Sequence, residues 1–312
     1  MRLVFMGSPA FAVPSLQALA RAYQIVGVVT QPDRPAGRGR TLTPPAVKEA
    51  ALGLGLPVFQ PARLRTPDAT KEVADWAPDL IVVAAFGQIL REPLLDLPRF
   101  GCLNVHASLL PRWRGASPVQ AALRAGDSTT GITIMKMDVG MDTGAILAQA
   151  SLPVVESDTG GTLTARLAPL GASLLLETLT GYLAGRITPA PQIKAHVTLA
   201  PLLAKQDGRL DFTLGAEELE RQIRAYDPWP GTFLEWQGRR IGILRGRAVS
   251  APEVPVGGLT QLGGIPAVGT TDGVLLLEVI RPAGRQAISG ESFLRGAPAF
   301  ASGHLDLQGA DS

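Results

Sequence analysis

Gly101-Cys-Leu-Asn-Val-His-Ala-Ser-Leu-Leu-Pro-Arg-Trp-Arg-Gly115 reads as a short apolar strand that stops in a loop of Pro, Arg and Gly. Residues two apart on a strand share a face, so Asn104 and His106 project together while Leu103 and Val105 point the other way. Two polar groups on one face of a buried strand make a site geometry. In a parallel α/β sheet, ligands bind at the carboxyl ends of the strands, which places Asn104 and His106 at the lip of that site.

Working outward, the apolar runs from Arg2 to about Val154 are short and β-rich, as strands buried on both faces are. Strands are expected at Leu3 to Met6, Ile25 to Thr30, around Val58, Leu80 to Phe86, Gly101 to His106 and Ile132 to Met137. Helical patterns fall between them at Pro14 to Arg21, Pro45 to Leu52, Pro67 to Trp76 and Pro118 to Ala125. The last is punctuated by Ser117 as N-cap, Pro118 in the first turn and Gly126 past the end. This alternation predicts an α/β fold with a doubly wound, mostly parallel, Rossmann-like sheet over residues 1–185, closed by a helix from Thr162 to about Leu183. Residues 186–204, rich in Pro and Ala, read as a linker over the surface. Residues 205–312 carry a helix at Ala216 to Arg224 and short alternating segments at Thr232 to Trp236, Arg240 to Leu244 and Val274 to Val279, predicting a smaller OB-like β-barrel domain. Trp229, between Pro228 and Pro230, is expected to fill a buried corner between helix and barrel.

Composition sets wide limits. A chain of 312 residues, 46% hydrophobic, can bury a large core, and a net charge of +2 does not by itself announce a nucleic-acid protein. One Cys excludes an internal disulfide and suits a reducing compartment. With no run fit to span a bilayer and no signal-peptide core after Arg2, a cytoplasmic protein without membrane association is expected, as a monomer.

The first turn, Met6-Gly7-Ser8-Pro9-Ala10-Phe11, lacks the Gly-x-Gly-x-x-Gly series of dinucleotide sites, which argues against hydride transfer. A third polar element stands in Met137-Asp-Val-Gly-Met-Asp-Thr-Gly144, where Asp142 sits in a Gly-bracketed turn after the next strand. A carboxylate there makes a neighbouring imidazole a better proton acceptor. The alternative for Asp138 and Asp142 is that each bonds backbone within the turn, as Asp often does. Asn, His and Asp with no paired Ser or Cys nucleophile suggest direct acyl transfer to nitrogen: Asn104 donating to an oxyanion, His106 moving a proton. A metal held by Cys102, His106 and Asp142 lacks paired ligand spacing, so no metal is expected and Cys102 reads as a small buried residue.

Asn104-x-His106 leading into Ser108-Leu-Leu-Pro-x-x-Arg-Gly115, followed by Gly131-Ile-Thr-Ile-Met-Lys-Met-Asp-Val-Gly-Met-Asp142-x-Gly144, resembles the formyltransferases that use 10-formyl-tetrahydrofolate. Gln31-Pro-Asp-Arg-Pro-Ala-Gly-Arg-Gly39, Ala85-Phe-Gly-Gln88 and Ile223-Arg-Ala-Tyr-Asp-Pro-Trp-Pro230 extend the likeness nearly end to end, toward the tRNA-directed branch. Phe86 departs from a Tyr common there, and Lys136 from an uncharged polar residue.

The resemblance implies formyl transfer from 10-formyl-tetrahydrofolate to the α-amino group of methionine on initiator tRNA, for translation initiation. It implies Asn104 as oxyanion donor and His106, supported by Asp142, in proton transfer. The folate would lie beside Phe86, Gly87 and Gln88, the loop Ser108, Leu109, Leu110 and Pro111, and the turn with Asp138 and Gly140. Arg34, Arg38 and Arg40 occupy a loop too long and too charged for a minimal βα connection; the resemblance sends it to the tRNA acceptor end, Arg38 foremost. Arg239, Arg240, Arg245 and Arg247 form a second basic patch, open to two readings: phosphate contact or ordinary solvated surface. The arginine loop also separates a tRNA substrate from the nucleotide-sugar amines that other members formylate. Retention of Asn104, His106 and Asp142 together argues against a catalytically silent RNA-binding protein on the same fold.

Overall fold

Leu3, Val4, Phe5 and Met6 have no solvent exposure, as a strand covered on both faces requires, and they form the middle of the first sheet as β1 (Arg2–Gly7). The structure is a computed structural model describing residues 1–36, 41–251 and 254–306; Arg38 and Arg40 lie outside them. After β1 come α1 (Val13–Ala22), β2 (Gln24–Val29), a hairpin of β3 (Arg34–Ala36) and β4 (Thr41–Thr43), and α2 (Ala46–Gly53). Next are β5 (Val58–Phe59), α3 (Pro67–Asp75), β6 (Leu80–Ala84), α4 (Glu92–Leu95), β7 (Cys102–His106) and β8 (Arg114–Gly115). α5 (Pro118–Ala125), β9 (Thr129–Lys136), β10 (Ile146–Pro153), α6 (Gly160–Leu183) and β11 (Leu199–Ala200) follow. Proline within the first turns of α1 and α3 presets φ for the helix without forfeiting a bonded N–H.

The sheet runs β10-β9-β7-β6-β1-β2-β5. Its β7-β6-β1-β2-β5 part is parallel, and β9 and β10 are antiparallel additions beyond β7. The chain leaves β1 toward β2 and β5, then returns to β1's other side through β6, so the order reverses between β1 and β6. A topological switch point of this kind is where an open α/β sheet binds ligand. The expected strand over Leu80 to Phe86 ends at Ala84, because Ala85 turns to φ 46° and leaves the ladder. The hairpin β3-β4 and edge strand β10 were not expected: β10 alternates weakly, through small and polar Ala148, Gln149, Ala150 and Ser151.

Two compact units divide the chain: Met1–Pro118, Thr129–Pro153 and Thr164–Ala200 form one, while Val119–Ser128, Val154–Leu163 and Pro201–Ser312 form the other. In the first, α6 lies on β7 and β9, close enough that a Cβ on Gly171 would meet Val105 at 3.0 Å. Residues 190–200, within the expected linker, are bonded to this unit rather than loose. Ala190 bridges Ile146, and β11 pairs with β8 in parallel.

The second unit holds α7 (Ala216–Ala225), β12 (Thr232–Trp236), β13 (Arg239–Val249), β14 (Leu259–Leu262), β15 (Ile265–Gly269), β16 (Val274–Pro282), β17 (Ile288–Ser289) and α8 (Gly290–Gly296). Its antiparallel sheet runs β12-β13-β16-β15-β14, with β17 on β16, and no ladder joins the end strands among the described residues. Leu219 and Ile223 of α7 share a core with Leu234, Ile243, Leu277 and Phe300. Trp229 corrects the sequence reading: it is 50% exposed, so its flanking prolines do not fix a buried corner. Among the described residues, no helix is long and apolar enough to cross a membrane.

Candidate active site

β7 delivers Asn104 and His106 to one face as its alternation requires, with Leu103 and Val105 buried on the other. Its partners fix the register: Asn104 stands opposite Met135 of β9 and beside Val83 of β6. The turn after β9 brings in Asp142, a non-glycine residue held at φ 52°. Its carboxylate gathers three groups. Oδ1 accepts from Asn104 Nδ2 at 3.2 Å, Oδ2 accepts from the Gly115 N–H at 2.9 Å, and His106 Nδ1 stands 3.5 Å from Oδ2. The side chains of His106 and Asp142 are only 6% and 14% exposed.

Each contact limits what its members can do. An amide nitrogen carries two hydrogens, so Asn104 engages Asp142 with one and has a second that can donate elsewhere. His106 Nε2 lies 2.9 Å from the Trp113 carbonyl oxygen, which can only accept, so Nε2 carries the proton there. Trp113 itself sits at φ 64°.

The loop of Ser108, Leu109, Leu110 and Pro111 is built from within. Ser108 is fully buried and donates to the Arg112 carbonyl at 2.6 Å, while Thr133 Oγ1 donates to Ser108 O and accepts from the Leu110 N–H. Gln149 Nε2 donates to Leu110 O and to Thr133 Oγ1, both at 2.9 Å. The Leu110–Pro111 peptide is cis. The Ser108 hydroxyl and the main chain of Leu110 are thus engaged within the loop, beside the half-buried Leu109.

At the switch point, Ser8 Oγ and Gln31 Nε2 both donate to the Phe86 carbonyl, at 3.2 and 3.1 Å. The Phe86 ring is buried in the core of this unit, with Val4, Met6 and Val83. Gly87 follows at φ 81°. The Gln88 side chain holds the neighbouring loop, accepting from Leu64 N at 2.7 Å and donating to Pro61 O at 3.2 Å. Asp138 takes the turn-bonding role weighed from sequence: Oδ1 accepts from the Gly140 N–H and from Thr143 Oγ1. Cys102 is buried and donates to the Leu94 carbonyl, and no cluster fit to hold a metal occurs among the described residues.

The arginines are spread. Arg34, exposed at the hairpin root, donates to Gln31 Oε1 at 3.1 Å. In the second unit, Arg245 and Arg247 each place Nε 2.9 Å from a Glu278 oxygen, and the Arg240 guanidinium lies 3.6 Å from the centre of the Phe233 ring. Arg239 opens the same strand on its exposed face.

Sequence reasoning overlooked Gln192 and Thr198. Gln192 bonds the main chain of Asp142 and Gly144 and the Arg114 side chain, and Thr198 Oγ1 accepts from the Trp113 N–H at 2.9 Å. Neither stands in a patterned motif, because both act on residues far away in the chain.

An amide and an imidazole gathered on one carboxylate at the edge of an α/β sheet can serve group transfer, and the relatives of the chain show that class. Residues 1–179 match the family described as formyl transferase, and residues 202–298 match its C-terminal domain. The methionyl-tRNA formyltransferase of Halorhodospira halophila is 50% identical over 298 residues, 95% of this chain and 96% of that one. That of Roseiflexus sp. (strain RS-1) is 47% identical over 300 residues, 95% and 92% of the two chains. The methionyl-tRNA formyltransferase structure from Clostridium thermocellum superposes with a TM-score of 0.58 at 16% identity, over 80% of this chain and 94% of that one, a likeness of fold. The chain belongs to the formyl transferase family, in its methionyl-tRNA formyltransferase branch.

Proposed function

We propose that Asn104, His106 and Asp142 carry the transfer of a formyl group from 10-formyl-tetrahydrofolate to the α-amino group of methionyl initiator tRNA. The observation that supports it is the single Asp142 carboxylate reached by Asn104 Nδ2 and faced by His106 Nδ1. The amine nitrogen attacks the formyl carbon and forms the new C–N bond, and the carbonyl oxygen becomes an oxyanion. The free hydrogen of the Asn104 amide stabilises that charge. With its own proton shifted to Nδ1, against Asp142 Oδ2, and Nε2 released from Trp113 O, His106 takes at Nε2 the proton that the amine nitrogen loses and returns it to the folate nitrogen as the old C–N bond breaks. Asp142 orients both side chains and balances the imidazolium.

The folate fits the carboxyl edge at the switch point. Val139 and Met141, 70% and 68% exposed in the turn that carries Asp142, offer apolar cover for a flat heteroaromatic ring. The main chain of Gly87, at φ 81° beside the switch point, supplies a polar contact there. Arg34, Arg38 and Arg40 receive the acceptor end of the tRNA, where a guanidinium fork suits phosphate and an open helix end. The β13 arginines meet its phosphates.

The test offers formyl-folate with methionyl initiator tRNA, methionyl elongator tRNA and a nucleotide-sugar amine as competing acceptors. Formylation of the initiator species alone is the expected result. Comparable turnover of the sugar amine would overturn the assignment of the arginine loop, and no transfer to any tRNA would overturn the reading as a whole.

A further inference from the structure

We propose that Gln192 is a positioning residue of the transfer site, acting through the main chain of the turn that carries Asp142. Its side chain uses every hydrogen-bonding position that an amide has. Nε2 donates to the Asp142 carbonyl at 2.9 Å and to the Gly144 carbonyl at 2.8 Å. Oε1 accepts from Arg114 Nε at 3.0 Å and from Arg114 Nη2 at 2.8 Å. Two donors and two acceptors are thereby matched, which also settles which end of the amide is nitrogen.

What Gln192 joins gives this clasp its meaning. On one side is Asp142, held at φ 52°, a conformation that a residue with a Cβ keeps only when its surroundings impose it. Bonds to the carbonyls of residues 142 and 144 fix the main chain on both sides of Thr143, and so the direction in which the Asp142 carboxylate leaves it. On the other side is Arg114, whose peptide link to the next residue supplies the Gly115 N–H that donates to Asp142 Oδ2 at 2.9 Å. Gln192 therefore ties the strand bearing the N–H donor to the turn bearing its acceptor.

The surrounding segment reinforces the tie. Ile146 and Ala190 exchange backbone bonds of 2.8 Å just before Gln192 in the chain, and the Thr198 carbonyl accepts from the Arg114 N–H at 2.9 Å just after it. Thr198 Oγ1 accepts from the Trp113 N–H, the residue whose carbonyl meets His106. A stretch that composition marks as a connector is thus bonded to the neighbours of both His106 and Asp142. All four hydrogen-bonding positions of the Gln192 amide are spent on Asp142, Gly144 and Arg114, so its effect passes through the placement of Asp142.

This inference rests on Asp142 belonging to the transfer machinery, and the experiment separates the two claims. Gln192→Glu keeps the length and the acceptor for Arg114 but turns a carboxylate oxygen toward two carbonyls. A misplacement on the order of 1 Å costs up to about a hundredfold in rate, so the single-turnover formyl-transfer rate should fall about tenfold to a hundredfold. KM for both substrates should stay within about twofold, as positioning of a group active in the transition state requires. In an Asp142→Asn background the same substitution should cost less than about threefold, because the group it acts through is gone. Gln192→Met, of similar length without the bonds, stands in if the Glu variant fails to fold, with the same expectations. A parental rate in Gln192→Glu with a slow Asp142→Asn would overturn the role of Gln192 alone. An equal loss in both backgrounds would mean a structural effect unrelated to Asp142 and would overturn it as well. A parental rate in Asp142→Asn would bring down the site reading, and this inference with it.

Discussion

His106 and Asp142 meet at one carboxylate oxygen, Nδ1 standing 3.5 Å from Oδ2, while the far side of the ring lies 2.9 Å from the Trp113 carbonyl. The same Oδ2 accepts from the Gly115 N–H, so an amide nitrogen in its place would face a donor with a donor. Asp142→Asn is therefore expected to disturb the site in charge and in alignment together. A positioned acid-base pair contributes roughly 10²- to 10⁴-fold, and a loss of that order in the transfer rate is expected. Affinity for tRNA should stay within about twofold, since nothing in this cluster need touch phosphate. Rapid-quench measurement of one turnover, beside a binding titration, reads the two quantities separately. Retention of a third of the parental rate would remove Asp142 from the mechanism.

Gly115 links local backbone to the same cluster. It sits at φ 120°, and a Cβ there would run into the Ala200 carbonyl oxygen. Both the conformation and the clash oppose a side chain, so Gly115→Ala should cost about 1–3 kcal/mol of stability. It should slow transfer as well, because the Gly115 N–H holds Asp142. Gly185→Ala makes the comparison: Gly185 lies at φ 70° with open space around its Cβ position, so only the backbone cost of about 1 kcal/mol applies and the transfer rate should not move. Urea unfolding and single-turnover assays of both variants decide it; equal transfer rates would show that the N–H contact does not serve catalysis.

Much of this arrangement could be read from the chain. Period-two alternation put Asn104 and His106 on one face, and the buried runs Leu3 to Met6 and Leu80 to Ala84 marked strands covered on both sides. Asp142 was legible because a Gly-bracketed turn after a strand has few places to go. Strand β10 was harder, since its polar and small residues blur the alternation of an edge strand. Gln192 was not legible, as its partners Arg114 and Asp142 are 78 and 50 residues away and no periodicity encodes a bond across that span. Trp229 misled for a related reason: proline on both sides restricts backbone angles but says nothing about what covers the ring. The hydroxyl of Ser108 and the amide of Gln88, expected beside the folate, also bond this chain's own loops, that of Gln88 across a span that no local pattern encodes.

Cys102 offers a probe of the same strand that does not involve the reaction. Burial pushes its thiol from 9.0 up to about 12, Asp96 adding to the rise and Lys136 opposing it. The thiolate is the reactive form, so at pH 8 the folded protein should resist an aromatic disulfide reagent and react fully once unfolded. The raised value also fixes the sign of a stability effect. Protonated Cys102 favours the fold fully below about pH 9, and that contribution declines as pH rises toward about 12. Cys102→Ser should flatten this part of the alkaline decline in the thermal midpoint. Rapid labelling of the native protein at pH 8 would contradict the burial.

The arginines of β13 make the last case, because their charge is already partly engaged. Arg245 and Arg247 both pair with Glu278, leaving a net charge of one among three groups. A carboxylate at 20% exposure between two guanidinium groups can hold them ready for phosphate or compete with phosphate for them. Each phosphate contact contributes about 0.7 to 0.9 to the slope of log affinity against log salt. If both arginines meet tRNA, replacing the pair with Ala should lower that slope by about 1.5, measured between about 50 and 200 mM salt. Glu278→Gln removes the competing charge but keeps a hydrogen-bond acceptor, so binding at low salt should tighten with a steeper slope. Weakening in that variant would mean that Glu278 acts by holding the arginines in place. An unchanged slope in the double Ala variant would make the patch ordinary solvated surface and move the tRNA contact to the loop around Arg34.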